Sequence, residues 1–355
     1  MTDTPHIVWL DSDGDTSSEV LGGKFSSLAE MTAAGFAVPA GFGITTAGWR
    51  AFLAHNDLAD EFTAATRDLS PDDLDAVEAV SARIAARIDD TPFPPALAAD
   101  IDAAYAALQE RMAVDALPVA VRSSGVSEDL AGASFAGQYD TYLWIVGPKA
   151  LRRHVKRCWA GIFGPQVLTY HPHGVAVGGA GMCVGVQAMV AAKAAGVMFT
   201  LDPLNGDRSK IVLEACWGLG EGVVSGDVTP DRFRVDKVTL ELLSTEVAEK
   251  LSEHAFDPER GEVVIRDVEA ERRGQVCLSE ASVAELAALG KRIERHRGAP
   301  CDIEWAVDEH DRVHLLQVRP ETVWSSKPAK PVAPGGGRGV DRVLAKFMSG
   351  TTTKA

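Results

Sequence analysis

Residues 301–322 read CDIEWAVDEHDRVHLLQVRPET. Apolar and polar residues alternate on both sides of the DEHD segment at residues 308–311, and this alternation predicts two strands joined by a tight turn. A hairpin of this kind favours an antiparallel sheet, since a short turn can only join antiparallel neighbours. One face of the second strand is expected to be apolar, and it carries His314, Leu316 and Val318.

The opposite face of this hairpin collects charged and amide side chains. Asp302 and Glu304 lie two residues apart and share one face of the first strand, and Gln317 and Arg319 do the same on the second. Carboxylate and carboxamide oxygens suit Mg²⁺, which also takes phosphate oxygens and water. The alternative is a hairpin whose polar side chains form cross-strand pairs in solvent.

Two further segments have the composition of a phosphate site. Residues 120–143 read AVRSSGVSEDLAGASFAGQYDTYL, in which Arg122 stands among small residues that let backbone N–H groups approach a ligand. Gly22 and Gly23 present Lys24 at the start of a helical pattern. The alternative for residues 120–143 is a surface loop with turn chemistry and a salt-bridged arginine.

Known phosphate motifs fail on this sequence, so a phosphate site has to be assembled from separated segments. The segment around Lys24 is not a P-loop, because Phe25 stands where Ser or Thr must hold magnesium and Ser18 where the first glycine belongs. The GLGEGVVSG segment at residues 218–226 lacks the glycine spacing of a dinucleotide-binding turn.

The rest of the chain reads as a mixture of helices and strands. Residues 182–190 and 195–200 are expected to be a strand pair, and Ser279 is a candidate N-cap. Helical spacing of apolar residues occurs in the ranges 24–34, 46–56, 57–115, 148–170 and 278–297. Further strand patterns occur in the ranges 7–10, 118–122, 139–146, 211–219 and 231–247. These patterns predict an α+β fold with mostly antiparallel sheets and flanking helices.

Composition excludes several classes of partner. The net charge of −15 argues against binding nucleic acid or an anionic membrane. An acidic N-terminus without a long apolar run predicts no signal peptide and a cytoplasmic protein. Widely spaced cysteines without a CxxC pair predict reduced, mostly buried thiols, with no zinc site or disulfide framework. They are Cys158, Cys183, Cys216, Cys277 and Cys301.

Six segments taken together resemble the ATP-binding domain shared by phosphoenolpyruvate synthase, pyruvate phosphate dikinase and rifampicin phosphotransferase. The resemblance runs over roughly residues 18–325 and implies a two-lobed, ATP-grasp-like fold. Lobes are then expected at residues 1–190 and 191–325, followed by a Pro/Gly linker and tail at 326–355. The six segments occupy residues 21–46, 119–143, 184–190, 195–203, 214–231 and 302–322.

The resemblance implies that ATP and Mg²⁺ are the cofactors. Lys24 and Arg122 would bind the phosphates of ATP, and Arg319 would contact phosphate and stabilise the charge of the transition state. Glu304 and Gln317 would hold Mg²⁺. The residues implied in catalysis are Lys24, Arg122, Glu304 and Arg319. The loop implied to close over the β- and γ-phosphates comprises Ser134, Phe135, Ala136 and Gly137, together with Thr141.

The same resemblance implies the remainder of the nucleotide site. Gln187, Met189 and Val190 would line the adenine edge. Glu214 and Glu221 are candidates for ribose or lobe-closure contacts, and a solvated or structural role is their alternative. Asp302 would lie near the metal.

The implied chemistry cleaves ATP between its α- and β-phosphates to give AMP. The pyrophosphoryl group passes to a histidine, phosphate leaves, and the phosphohistidine phosphorylates an acceptor. The family's histidine lies in a Gly-rich, Ser/Thr-Ser-His setting, and none of the nine histidines here does. A separate subunit is therefore expected to carry the histidine domain and the acceptor site.

The expected acceptor is phenol or a 4-alkylphenol such as p-cresol, as in the two-component aryl phosphate synthases. The alternatives are the ATP subunit of a split phosphoenolpyruvate synthase or antibiotic phosphotransferase, and a non-catalytic nucleotide-sensing module.

Overall fold

A computed structural model describes residues 4–126, 140–170 and 181–325. Within these ranges the chain mixes helices with antiparallel strands, as predicted. The strands are β1 (Ile7–Trp9), β2 (Gly41–Ile44), β3 (Val119–Gly125), β4 (Thr141–Ile145), β5 (Met182–Ala188), β6 (Ala192–Phe199), β7 (Lys210–Trp217), β8 (Asp231–Asp236), β9 (Leu242–Glu246), β10 (Ser252–Asp257), β11 (Glu262–Asp267), β12 (Cys301–Asp308) and β13 (Val313–Pro320). The α-helices are α1 (Ser18–Ala33), α2 (Thr46–His55), α3 (Leu58–Arg67), α4 (Leu74–Asp90), α5 (Pro95–Met112), α6 (Pro148–Ala160), α7 (Pro165–Tyr170), α8 (Glu221–Ser225), α9 (Ala270–Arg273) and α10 (Glu280–Arg297).

The first sheet has five strands in the order β1-β2-β5-β3-β4, each antiparallel to its neighbours. Its central strand β5 is buried on both faces. Val184 and Val186 pack into a core with Trp49 and Trp159 of the helical layer. On the other face Cys183 packs against α1. The sheet is therefore covered by helices on both faces over these strands, which explains the continuous apolar run of β5.

The second sheet has six antiparallel strands in the order β13-β12-β6-β7-β8-β9. One face packs against α10, whose Leu286 and Ile293 join Trp305 and Leu315 in a shared core. Helix α10 begins as predicted, because the hydroxyl of Ser279 accepts a hydrogen bond from the Ser282 N–H at 3.1 Å. The opposite face carries polar side chains such as Glu304 and Gln317 together with small apolar ones such as Ala195 and Ala306.

The expected pairing of residues 182–190 with residues 195–200 is wrong. Both segments are strands, but β5 pairs with β2 and β3, whereas β6 pairs with β12 and β7. Strands β5 and β6 are consecutive in the sequence, but the connection between them passes from the first sheet to the second. The apolar–polar pattern and the residue composition predict that each segment is a strand. Which strand each one pairs with depends on the rest of the sheet and on which strand edges are still unpaired.

A two-stranded unit was not predicted from the sequence. Strands β10 and β11 form an antiparallel ribbon over residues 252–267. Most of its β11 residues are exposed, including Ile265 at 60 %. The apolar alternation in this ribbon is weak because one face lacks a core, so the sequence signal for a strand is weak as well.

The turn between β12 and β13 is built on Asp308. Its carboxylate accepts hydrogen bonds from the N–H groups of His310 and Arg312, at 2.9 and 3.0 Å, and from the side chain of Arg312 at 2.8 Å. His314 Nε2 lies 3.0 Å from the same carboxylate. Burial acts to raise the pKa of Asp308, but these hydrogen bonds outweigh it and hold the pKa well below 3.8.

Asp308→Asn is expected to lower the free energy of unfolding at pH 7 by about 1–2 kcal/mol, since the charge is lost but one acceptor oxygen remains. A lowered folded-state pKa stabilises the fold above the ordinary value of 3.8 and loses that effect as the pH falls towards the folded value. Urea unfolding should therefore give a smaller difference between wild type and variant at pH 3 than at pH 5. An equal or larger difference at pH 3 would contradict this account.

All five cysteines are buried free thiols, in agreement with the predicted burial. Among the described residues, no helix is both long and apolar enough to cross a membrane. The described residues up to Pro320 form one compact unit, and the described residues 321–325 belong to a second. In the described part of the second unit, Glu321 accepts hydrogen bonds from the N–H groups of Trp324 and Ser325.

Candidate functional site

A cavity of about 430 Å³ lies between the two sheets, and both sheets contribute to its walls. It brings together segments that are far apart in the sequence, on α1, β3, β4, the end of β5, α8 and the β12–β13 hairpin. The predicted site residues that line it are Lys24, Arg122, Thr141, Gln187, Met189, Val190, Glu221, Glu304, Gln317 and Arg319.

Register places the polar residues of the hairpin opposite one another. Gln317 is the partner of Glu304, and Arg319 is the partner of Asp302. This register depends on a β-bulge: Trp305 pairs with Leu315, so one residue of β13, Leu316, has no partner on β12. The four polar side chains therefore share one face, as predicted.

The bulge also corrects the predicted apolar face of β13. Leu316 lines the cavity with Gln317 and Arg319, whereas Val318 packs into the core with Leu315. The expectation that His314, Leu316 and Val318 share one face is therefore wrong. Strict alternation would hold only without the extra residue, because a one-residue shift moves every later side chain to the other face.

Arg122 connects the two sheets. On β3 it shares a face with Ala120, while Val119 and Val121 point into the core of the first sheet. Its Nη2 donates to Gln317 Oε1 at 2.7 Å and to Glu304 Oε2 at 3.1 Å, and its Nη1 donates to the Leu316 carbonyl at 2.7 Å. Arg122 as a whole is only 8 % exposed. A permanent, buried cation is thus held on the carboxylate and amide of the hairpin.

Lys24 reaches the same end of the cavity from α1. The helix is interrupted at Gly22, which has φ 67° and ψ 174°. Its missing side chain allows the backbone to approach β3, since a Cβ there would lie 2.0 Å from the Ser124 carbonyl oxygen. The Lys24 ammonium lies 3.4 Å from the Ser123 carbonyl oxygen. The glycine turn therefore places a second cation beside Arg122.

The other end of the cavity is more apolar. Gln187 lies opposite Ala120, two residues along β3 from Arg122, and its amide donates to the Pro39 carbonyl at 3.2 Å. Met189 follows β5 and donates its N–H to Pro118 O at 3.0 Å. Small residues also line the cavity. They are Ala120, Ala188, Ala192, Ala195 and Gly196.

Three acidic candidates are placed differently from one another. Glu221 begins α8 and lines the cavity. Glu214 lies outside the lining and pairs with Arg232 at 2.6 Å. Asp302 is also outside the lining, and its carboxylate lies 3.6 Å from Arg319 Nε. Ser134, Phe135, Ala136 and Gly137 fall outside the described residues.

Sequence reasoning missed part of the cavity wall. Asp140, Leu143, Leu219, Val224 and Leu316 all line it. A usable signal existed for residues 218–226, because their glycines resemble a ligand-binding turn even though the dinucleotide spacing fails. The position of Leu316 carried no sequence signal, since it depends on the bulge.

Buried thiols near the cationic end are not candidate nucleophiles. Burial raises the pKa of Cys158 to about 12, although a hydrogen bond involving Ser123 and the charge of Lys24 act in the opposite direction. The pKa of Cys183 is raised for the same reason, by burial. Among the described residues that line the cavity there is no histidine and no cysteine. This end of the cavity can therefore bind and polarise an anion, but it offers no thiolate.

The donor set fits a magnesium ion. Glu304 and Gln317 supply a carboxylate and a carboxamide oxygen from directly paired positions, and hard oxygen donors are what Mg²⁺ prefers. The described part of the chain holds no group of three His, Cys, Asp or Glu side chains arranged for a metal. A metal here would therefore take its remaining ligands from water and from an anionic ligand such as phosphate.

Comparison with known proteins points to a nucleotide-binding domain. The family described as "Pyruvate phosphate dikinase, AMP/ATP-binding domain" matches residues 18–335. The chain is 38 % identical to the probable phosphoenolpyruvate synthase of Staphylothermus marinus, over 92 % of this chain and 42 % of that protein. It is 39 % identical to the phosphoenolpyruvate synthase of Pseudomonas aeruginosa, over 91 % of this chain and 43 % of that protein. It is 38 % identical to the rifampicin phosphotransferase of Streptomyces sviceus, over 89 % of this chain and 36 % of that protein. The chain spans less than half the length of these curated relatives.

Proposed function

The chain belongs to the family of pyruvate phosphate dikinase AMP/ATP-binding domains, and from that premise we propose that it binds Mg·ATP in the cavity between its two sheets. The observation that carries the proposal is the convergence of Lys24, Arg122 and Arg319 with Glu304 and Gln317 on one cavity. Three cations and two oxygen ligands match a triphosphate with its metal better than they match an uncharged ligand. The two sheets would then be the lobes of an ATP-grasp-like fold, at residues 1–190 and 191–325.

The two ends of the cavity are proposed to bind different parts of the nucleotide. Lys24, Arg122 and Arg319 bind the phosphates and orient the bond between the α- and β-phosphates. Met189 and Val190 contact the adenine at the apolar end, with Gln187 beside them. Mg²⁺, held by Glu304 and Gln317, would neutralise phosphate charge. Phosphoryl transfer from ATP depends on positioning and charge stabilisation, so the site needs no nucleophile of its own.

The pyrophosphoryl group is proposed to pass from this site to a histidine. Release of phosphate to water then leaves a phosphohistidine, which transfers its phosphoryl group to an acceptor. The histidine and the acceptor site would lie outside the described cavity, on a partner subunit or on further sequence. The names of the relatives support a phosphoenolpyruvate-forming or antibiotic-modifying reaction better than phosphorylation of a phenol. Buried free thiols are consistent with work in the cytoplasm.

Product analysis tests this function. ATP labelled in the adenine ring is incubated with Mg²⁺, this chain and the histidine-bearing component, in parallel with pyruvate, rifampicin and p-cresol. The expected nucleotide product is AMP, with one acceptor phosphorylated. ADP as the product would contradict a dikinase. Binding of ATP without turnover under every condition would support the nucleotide-sensing alternative instead.

Glu304→Gln is expected to lower the rate of AMP formation by about 100- to 1,000-fold, because it removes the charged metal ligand. The matched control is Glu309→Gln, which makes the same change at an exposed position in the turn of the same hairpin. Its rate should stay within about twofold of wild type. Equal rates of AMP formation for Glu304→Gln and wild type would show that Glu304 is not a metal ligand of the reaction.

A further inference from the structure

We propose that Arg122 acts as the resident cation of the metal-ligand pair Glu304–Gln317, and that a triphosphate has to draw it away before a divalent cation can bind. The site would then take up metal together with nucleotide and exclude free metal. This inference rests on the proposed function, because it assigns metal ligation to Glu304 and Gln317.

The positively charged guanidinium of Arg122 already occupies the oxygens of Glu304 and Gln317. A single Arg122 nitrogen, Nη2, lies 2.7 Å from Gln317 Oε1 and 3.1 Å from Glu304 Oε2. These two oxygens are the donors that a metal ion would need. The neighbouring nitrogen, Nη1, is fixed on the Leu316 carbonyl at 2.7 Å. The bulge thus supplies an anchor that keeps the guanidinium on the pair.

Electrostatics make sharing of these oxygens unfavourable. The guanidinium cannot lose its proton at any ordinary pH, so it cannot neutralise itself to admit a second cation. Two cations on the same oxygens repel one another strongly where solvent is scarce, and Arg122 is only 8 % exposed. A free metal ion would have to displace a buried charge from its three hydrogen bonds.

A phosphate changes this balance. Arginine binds phosphate oxygens bidentately, so a triphosphate in the cavity offers Arg122 a better partner than a shared carboxylate. Arg122 also does not use all its hydrogen-bond donors in this position, because its Nε is buried without an acceptor among the described residues. When Arg122 turns to phosphate, Glu304 and Gln317 become available to the metal. Metal and nucleotide then raise each other's affinity reciprocally.

The other cavity arginine provides a matched control. Arg319 lines the same cavity, but the carboxylate near it is Asp302, at 3.6 Å. Removing either arginine changes the net charge of the cavity equally. Only removal of Arg122 vacates Glu304 and Gln317.

Binding of Mn²⁺, measured by its electron paramagnetic resonance signal, tests the proposal without relying on activity. The full chain is titrated alone and with α,β-methylene-ATP, as wild type, Arg122→Met, Arg319→Met and Arg122→Met/Glu304→Gln. Wild type should bind Mn²⁺ at least about tenfold more tightly with the nucleotide than without it. Without nucleotide, Arg122→Met should bind Mn²⁺ at least about tenfold more tightly than wild type. Arg319→Met should show no such gain, and the double variant should lose it.

Tight Mn²⁺ binding by nucleotide-free wild type would overturn the proposal, and this measurement does not depend on any variant folding. Equal gains in Arg122→Met and Arg319→Met would also overturn it, because they would indicate a general charge effect. Circular dichroism confirms that each variant is folded. Failure of wild type to bind α,β-methylene-ATP by calorimetry would instead refute the proposed function, and the nucleotide-free comparison would still test the role of Arg122.

Discussion

Gly22→Ala is expected to lower the free energy of unfolding by about 3–4 kcal/mol. Two costs add at this position. A side chain at φ 67° and ψ 174°, a conformation that essentially only glycine adopts, is strained by about 1–3 kcal/mol. The new Cβ would also lie 2.0 Å from the carbonyl oxygen and 2.5 Å from the hydroxyl of Ser124, so helix α1 or strand β3 must shift.

Gly35→Ala separates these two costs. Gly35 has φ +77°, but a Cβ there would meet nothing within 4 Å. It should therefore lose only the conformational part, about 1–2 kcal/mol. Urea unfolding of both variants measures the difference. Equal losses would show that α1 and β3 do not approach closely enough at Gly22 to exclude a side chain.

Lys24→Ala is expected to weaken the binding of Mg·ATP by about 10- to 100-fold, since a charge-assisted hydrogen bond contributes about 1.5–3 kcal/mol. Adenosine, which carries no phosphate, should bind to the variant and to wild type with the same affinity. The physical reason is position: Lys24 lies beside Arg122 at the cationic end of the cavity, away from Met189 and Val190. Isothermal titration calorimetry of both ligands measures the two effects.

Lys149→Ala serves as the control, because Lys149 is exposed near the start of α6. Its affinity for both ligands should equal that of wild type. A parallel loss of ATP and adenosine affinity in Lys24→Ala would indicate a general disturbance of the cavity. An unchanged ATP affinity would remove Lys24 from the phosphate site.

Local structure was largely predictable from the sequence, because it depends on residues that are close in the chain. The alternation in residues 301–322 predicts β12 and β13, and the Ser279 cap predicts the start of α10. Sheet membership was not predictable in the same way. Residues 182–190 and 195–200 have strand patterns, but nothing local states that β5 and β6 belong to different sheets.

The candidate site shows the same division. The residue types at Lys24, Arg122, Glu304 and Gln317 predicted phosphate and metal chemistry. Their meeting in one cavity could be expected from the resemblance to known ATP-binding domains, whereas spacing along the chain does not predict it. The direct contact of Arg122 with Gln317 and Glu304 was not predicted, because it depends on the bulge at Leu316 and on how β3 faces the hairpin.

The role of Arg122 connects the fold to the proposed chemistry. Its side chain joins β3 of the first sheet to the hairpin of the second through three hydrogen bonds. The guanidinium also balances the charge of Glu304, so removing Arg122 would leave a partly buried carboxylate without its ion-pair partner. Phosphate binding and sheet contact would therefore depend on the same guanidinium.

The most direct test of the central claim is a crystal structure of the chain with Mg²⁺ and α,β-methylene-ATP, which resists cleavage between the α- and β-phosphates. We expect phosphates in contact with Lys24, Arg122 and Arg319, Mg²⁺ on Glu304 and Gln317, and adenine against Met189 and Val190. A nucleotide bound outside this cavity, or bound inside it with its phosphates away from these cations, would contradict the account.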